Sequence, residues 1–359
     1  MKRTNTAKWM EKQQRWQINV QKDGVRKSFY SGTPGRTGQR EANKKADLWL
    51  DEGVENPKAK VAEMYKKYLD EVKKETSARN HRNKVQRWMC YIEPIIGVRM
   101  VSSIGDADIK EVLDIAFSKR HLAKKTLMNI RSDMTAFIKF CRRSKVTSYV
   151  PDDVSIPAAA QVVGKKILQP QDLQKLFASD ETLYKGKVIK DPYIQAYRFQ
   201  ALTGLRPGEI LGLKPEDYVA GYVYIRRSIT VDGIVTAGKN RNAARAVALQ
   251  PLAEEIVQKQ LQTAPGCEHI FDILNERHYR HMLKRYCKYN GVADIVPYAL
   301  RHTFVSVAKH QPEGTVKSVV GHSKNMDTFG VYGHFFEGED REIANALGQD
   351  FAQILNCKK

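Results

Sequence analysis

The chain has 359 residues, which at roughly 100 to 200 residues per domain is enough for two or three domains with real cores. Sixty Lys and Arg against forty Asp and Glu leave a formal charge of +20 and a pI near 9.6, a balance that points to a polyanionic partner, nucleic acid first. No run of about 18 apolar residues, a polar start (Met1-Lys-Arg-Thr-Asn-Thr6, then Trp9) and five scattered cysteines without a Cys-x-x-Cys pair argue against membrane insertion, secretion, a disulfide framework and a zinc cluster, and predict a cytoplasmic protein.

The positive charge is uneven. Residues 1–56 hold 12 basic and 7 acidic side chains, and residues 57–150 hold 21 and 10, so the first 150 residues carry +16 of the +20. An imbalance sustained over two candidate domains favours binding surfaces over a solvated face of mixed sign.

In chain order, Trp16, Ile18 and Val20 alternate with Gln17 and Asn19, the period-2 pattern of a half-buried strand. Lys22-Asp-Gly24 supplies a turn, Val25 to Ser31 reads as the return strand, and Arg40 to Leu50 as a helix stopped at Gly53. The exposed face of this small sheet, with Arg15, Gln17 and Asn19, suits a DNA major groove. Residues 57–150 read as a helical bundle: Val61, Met64, Tyr65, Tyr68, Leu69 and Val72 keep the spacing of a buried helix face, and Leu127, Ile130, Met134, Phe137, Ile138 and Cys141 repeat it. Two further helices are predicted around Arg79 to Ile92 and Asp106 to Lys119. Arg79, Arg82, Lys84 and Arg87 on the first of these, with Lys124, Lys125 and Arg131, are the expected phosphate contacts. Residues 151–166 contain Pro151, Pro157 and Gly164 without periodicity and read as a linker. A mixed domain follows, with helices at Pro170 to Phe177 and Pro192 to Thr203, strands near Tyr222 to Arg227 and Arg245 to Leu249, and helices again from Leu252. There is no internal repeat.

The stretch richest in chemistry is Thr203-Gly-Leu-Arg-Pro-Gly-Glu209. Gly204 can end one helix and Pro207 start the next, which leaves Arg206 at a corner near a helix N-terminus suited to an anion, with Glu209 able to hold its guanidinium. Tyr298-Ala-Leu-Arg-His302, Val320-Gly-His322 and Thr328-Phe-Gly-Val-Tyr-Gly-His334 follow in order. Together these stretches resemble the tyrosine recombinases, the integrases of phages and mobile elements, whose active site runs Arg, Lys, His-x-x-Arg, His or Trp, and Tyr.

The resemblance implies roles. Arg206 and Arg301 would clamp the scissile phosphate, whose oxygens suit guanidinium forks. Tyr332 would be the nucleophile and Lys239, in Thr236-Ala-Gly-Lys-Asn-Arg-Asn-Ala-Ala-Arg245, the general acid on a β-hairpin turn, with Arg241 a competing cation and Arg245 at the family's following position. His322 would contact the phosphate, and His302 follows the second arginine. Tyr298 stands where the family most often has His, and ten residues separate His322 from Tyr332 where nine is common. No carboxylate cluster accompanies these residues, so the reaction expected is metal-free and needs no cofactor and no ATP: the tyrosine ester conserves the energy of the cleaved phosphodiester.

The fold expected is a multidomain α+β chain: an arm-type DNA-binding domain of sheet plus helix over 1–56, an all-α core-binding bundle over 57–150, a linker, a mainly helical catalytic domain with a small β-sheet over 167–336, and a helical tail over 337–359. Its partners would be double-stranded DNA at core and arm sites, three further copies of itself in a tetramer, and accessory DNA-bending proteins. A type IB topoisomerase and a catalytically silent DNA-binding regulator are the rival readings. His278 and His281, three apart on a helix, lack a third ligand and read as surface or satisfied histidines; Tyr286, Tyr289 and Phe304 read as core. In the tail, Ile343, Leu347, Phe351 and Ile354 form an apolar stripe that must bury itself, either on its own catalytic domain or on a neighbouring protomer.

Overall fold

The computed structural model describes residues 5–22, 25–51, 58–152, 154–237, 244–321 and 339–356. The chain divides into two compact units, Met1–Val163 and Gly164–Lys359.

The first unit opens with an antiparallel sheet of order β1-β2-β3, where β1 is Lys8–Met10, β2 Arg15–Lys22 and β3 Val25–Ser31. The period-2 alternation is realised: Ile18 and Val20 are buried against Ala42, Ala46 and Leu50 of helix α1, Gly35–Asp51, while Gln17 and Asn19 face away, opposite Tyr30 and Ser28. The short β1 was not expected. Trp9 pairs with Trp16 across the ladder, edge to face at 5.6 Å, and the buried Ala7 before it bonds Asn43 and Gln39 of α1, so an aromatic pair and helix contacts add to the ladder of this added strand.

Four longer helices follow: α2, Val61–Glu75; α3, Ala78–Arg87, which runs through a π turn at Trp88–Ile92 into the one-turn α4, Glu93–Ile96; α5, Asp106–Arg120; and α6, Lys124–Arg143. Their core is the set of residues singled out by periodicity, with Leu69 only partly buried. Tyr65 stacks on Trp88 with centroids 4.0 Å apart. Residues after Pro151 do not hang free: Val154 and Ala160 join this core, and the Val154 carbonyl accepts from Arg131 at 3.0 Å.

In the second unit, α7 (Pro170–Ala178), α8 (Ile194–Thr203), α9 (Pro207–Gly212), α10 (Pro251–Thr263), α11 (Glu276–Tyr289), α12 (Pro297–Val307) and α13 (Glu313–Val320) surround a small antiparallel sheet. Between α7 and α8 lies an unforeseen hairpin of β4, Glu181–Tyr184, and β5, Lys187–Lys190. Lys185 and Gly186 both have positive φ, 48° and 79°, the conformation of a two-residue turn matched to strand twist. Strands β6 (Tyr218–Val219), β7 (Tyr222–Ile225) and β10 (Arg245–Ala248) form the sheet in the order β10-β7-β6, and β8 (Ser228–Ile229) pairs with β9 (Val235–Thr236) within the β7–β10 connection. The C-terminal helix, Glu339–Asn356, packs on its own unit. Ala344, Leu347 and Phe351 are buried, Ile343 and Ile354 partly so, and Phe351 stacks on Phe304. No helix among the described residues is long and apolar enough to cross a membrane.

Candidate active site

Helix α8 ends at Thr203, and Pro207, whose missing N–H costs nothing at a first helical position, starts α9 three residues after Gly204. Arg206 is therefore held at a corner with extended backbone. Glu209, at the third position of α9, reaches back to it twice: its carboxylate accepts from the Arg206 backbone N–H at 2.9 Å and from Nη1 at 2.7 Å. The guanidinium is fixed in the pose expected of it, with 30% of the side chain still exposed.

A second arginine reaches the same carboxylate from another element. Arg245 opens β10, and Val247 and Leu249 on its face of the strand are buried. Its Nη1 and Nη2 donate to the two oxygens of Glu209 at 3.1 and 3.0 Å. Burial alone would push the Glu209 carboxyl upward, but the hydrogen bonds and charges of Arg245 and Arg206 outweigh it and hold the group below the usual carboxylate range.

The third arginine, Arg301 on α12, is 1% exposed. Its Nη1 donates to the Gly204 carbonyl at 2.8 Å and its Nη2 to the Val320 carbonyl at 2.6 Å. Burial, followed by the charges of Arg206 and Arg245, pulls its pKa down to about 10. Two guanidinia share the Glu209 carboxylate and the third, Arg301, bonds only carbonyls, so the cluster keeps a net excess of positive charge in a partly desolvated corner, where an added anion is stabilised more than in water.

All three arginines also bind the end of α13. Arg245 Nε donates to Val319 O at 2.7 Å, Arg301 to Val320 O, and Arg206 Nη2 to Gly321 O at 2.7 Å. These are carbonyls that a helix C-terminus leaves without intrahelical partners, at the negative end of its dipole. Gly321 has φ +64°, and a Cβ there would meet the Arg245 guanidinium at 2.8 Å. The segment that begins at His322 thus leaves from a point fixed by three cations.

Tyr298 and His302 lie one turn apart on α12, their rings edge to face at 5.1 Å. Tyr298 is 42% exposed. Burial, then Lys165 and Arg301, lowers the pKa of His302, which keeps its ring neutral at pH 7. Lys239, Arg241, His322 and Tyr332 lie outside the described residues. Strand β9, before Lys239 in sequence, pairs with β8, and β10, after it, pairs with β7.

Residues 166–338 match the phage integrase family. The chain is 25% identical over 256 residues to the ICEBs1 integrase of Bacillus subtilis (strain 168), a match that covers 63% of this chain and 66%, just under two thirds, of that relative. It is 24% identical to the tyrosine recombinase XerC of Staphylococcus carnosus (strain TM300), over 66% of this chain and 79% of XerC. Residues 166–338 therefore form a domain of the phage integrase family. The fold agrees: the Tn1549 transposon integrase in complex with transposon right end DNA superposes with a TM-score of 0.63 at 17% identity, over 79% of this chain and 98% of that one. A lambda integrase tetramer bound to a Holliday junction superposes with a TM-score of 0.57 at 16% identity, over 91% and 98%.

Arg206, Glu209 and Arg301 lie in one corner of the matched segment, with a difference in availability: the Arg206 side chain is 30% exposed and Arg301 is spent on backbone carbonyls. Sequence reasoning noted Arg245 but gave it no task. The signal was present in the alternation Arg245, Val247, Leu249, which puts a cation on a core-facing side. The expected DNA contacts of the first unit divide as well. Arg79, Arg82, Lys124 and Lys125 are exposed, and Arg15 lies over the Tyr30 ring at 4.0 Å on the polar sheet face with Gln17 and Asn19. Lys84 and Arg87 instead each bond the buried Asp133 at 2.5 Å, and Arg131 holds Val154, so these three have structural partners that the polar-face reading did not foresee. His278 bonds the Tyr193 hydroxyl and His281 bonds Arg285; Tyr289, expected in the core, is exposed.

Proposed function

We propose that the chain is a site-specific DNA recombinase, an integrase of a mobile element, which cuts and rejoins DNA through a covalent 3′-phosphotyrosine intermediate and a Holliday junction. The observation that carries this reading is the convergence of Arg206 and Arg245 on Glu209, and of these two with Arg301 on the carbonyls of residues 319–321 that precede His322, within a segment that matches the phage integrase family. A phosphodiester attacked in line gathers charge on its equatorial oxygens, and cations already fixed in place stabilise that state more than the ground state. Arg206 is placed to meet the phosphate first, and Arg301 follows by exchanging a carbonyl for a phosphate oxygen. Tyr332 would attack, Lys239 would protonate the departing 5′ oxygen, His322 would bond the phosphate, and Tyr298 would donate its hydroxyl to a phosphate oxygen. The reading needs no metal, ATP or other cofactor.

The partners proposed are core and arm DNA sites, three further copies of the chain on paired sites, and DNA-bending proteins, with the work done in the cytoplasm on chromosomal or element DNA. Arg15, Gln17 and Asn19 would meet the arm site; Arg79, Arg82, Lys124 and Lys125 the core site, with Lys84, Arg87 and Arg131 supporting them. Lys124 and Lys125 start α6 with no acidic residue in its first turn, against the helix dipole, a placement that an external phosphate would relieve. The test is covalent capture on a nicked suicide duplex. Tyr332→Phe should keep DNA affinity and lose capture, and capture by the Phe variant at the wild-type level would reject the assignment.

A further inference from the structure

Three consecutive carbonyls at the end of α13 are taken by three different arginines, and one of those arginines has no role in the chemistry just described. Arg245 is the residue through which the parts meet. Its fork closes on both oxygens of Glu209 at 3.1 and 3.0 Å, and Glu209 in turn holds Arg206 through two hydrogen bonds. Its Nε holds Val319 O at 2.7 Å, and its guanidinium plane lies against Gly321, where even one added carbon would stand 2.8 Å from Nη1. Only 9% of its side chain is exposed, so the group is packed for holding and not for reaching.

We propose that Arg245 is a positioning residue for the reaction: it sets Arg206 through Glu209 and sets the departure point of the His322 segment through Val319 and Gly321, so that clamp and nucleophile segment share one register. The inference rests on the recombinase reading given above. It also explains why arginine is needed. The site uses three nitrogens of one planar group at fixed angles, on two carboxylate oxygens and one carbonyl, and an ammonium cannot satisfy that geometry. Displacements of about 1 Å at such a site reduce rate with little change in ground-state binding.

The full-length chain is tested on nicked duplexes with a randomised core, from which wild-type protein selects its own substrate by covalent capture. A wild type that captures nothing overturns the recombinase reading itself. Given wild-type capture, Arg245→Lys should melt close to wild type, bind the selected duplex with unchanged affinity, and be captured about tenfold or more slowly in single turnover. Gly321→Ala, which leaves Arg245 in the sequence but pushes its guanidinium aside, should show the same split between rate and affinity. Glu209→Gln combined with Arg245→Lys should be no slower than the slower single variant, because both act on one link. Capture of Arg245→Lys at the wild-type rate overturns the proposal. So do fully additive losses in the double variant, or recovery of Arg245→Lys on a 5′-phosphorothiolate, which would place its action on the leaving group. If Arg245→Lys fails to fold, Gly321→Ala decides alone: wild-type capture by it overturns the proposal.

Discussion

Glu209, 3% exposed and bonded by two arginines, carries a large share of the second unit's charge balance, as Asp217 does with Arg226 and Arg227. With its pKa held below the unfolded value, it stabilises the fold above that value and loses the contribution as pH falls through the lower, folded one, so the corner should loosen only in strong acid. Asp191 has the opposite sign. Burial lifts its carboxyl to about 6, against the Tyr193 N–H and the Tyr197 hydroxyl, which pull it down. Its ionised form therefore costs the fold stability that is lost as pH rises from about 4 to 6. Asp191→Asn should raise the melting temperature at pH 7 to 8, by roughly 1–3 kcal/mol in stability, with the gain fading towards pH 4; an equal gain at both ends would show that the carboxyl is not neutral in acid for this reason. Lys239, proposed as general acid, has a chemical test: Lys239→Ala should cleave slowly with an ordinary 5′-oxygen leaving group and recover with a 5′-phosphorothiolate. Without recovery, Arg241 or His322 becomes the acid to examine.

Among elements, those with a long repeat were legible and those held by packing or a short turn were not. Helices α2 and α6 were readable because five and six apolar residues respectively recur on one face and all of these are buried. Helix α1 begins five residues before the expected Arg40; Gly38 is there because a Cβ would run into the Thr33 carbonyl, 1.7 Å from its oxygen, and stand 2.8 Å from Trp16. Strand β1 and the β4–β5 hairpin are too short for periodicity, and tertiary packing decides them. Burial of charge was also hidden. Asp133 lies on α6 between apolar positions, and nothing local shows that Lys84 and Arg87, some fifty residues earlier, will both close on it. Asp133→Ala leaves two mostly buried cations without a counter-charge and should destabilise the first unit by about 3 kcal/mol, read as an earlier melting transition; a shift under about 0.5 kcal/mol would mean that solvent, not the carboxylate, balances them. The candidate site was legible as motifs, because its chemistry restricts residue types. The link through Arg245 was not, because it depends on three elements meeting.

At the scale of the whole chain, most of the charge sits outside the segment proposed for catalysis. The last 209 residues hold only +4 of the +20, although they carry every motif of the active site. Most of the salt-sensitive affinity should therefore belong to the first 150 residues and little to the arginine corner. Deleting residues 1–56 should abolish binding to arm-type sites, leave cleavage of a short core site intact, and make the slope of log affinity against log salt shallower by about 0.9 for each DNA phosphate that the shortened protein no longer neutralises. Unchanged binding at every site would mean that the small sheet only caps its neighbour.

The C-terminal helix gives the molecule a mechanical property. Leu347 and Phe351 are buried in the second unit and Gly321 is held by Arg206 and packed against Arg245, so the described residues that precede His322 and those that follow Gly338 belong to one body. Under the role proposed for it, Tyr332 lies in sequence between two anchored points, and its effective concentration at its own arginine corner would be set by the span between them, independent of how many subunits are present. Release of either anchor would lower that concentration for its own corner while giving the tyrosine reach to another. Under the role proposed for Tyr332, the stacking of Phe351 on Phe304 would bear on whose phosphate the tyrosine encounters.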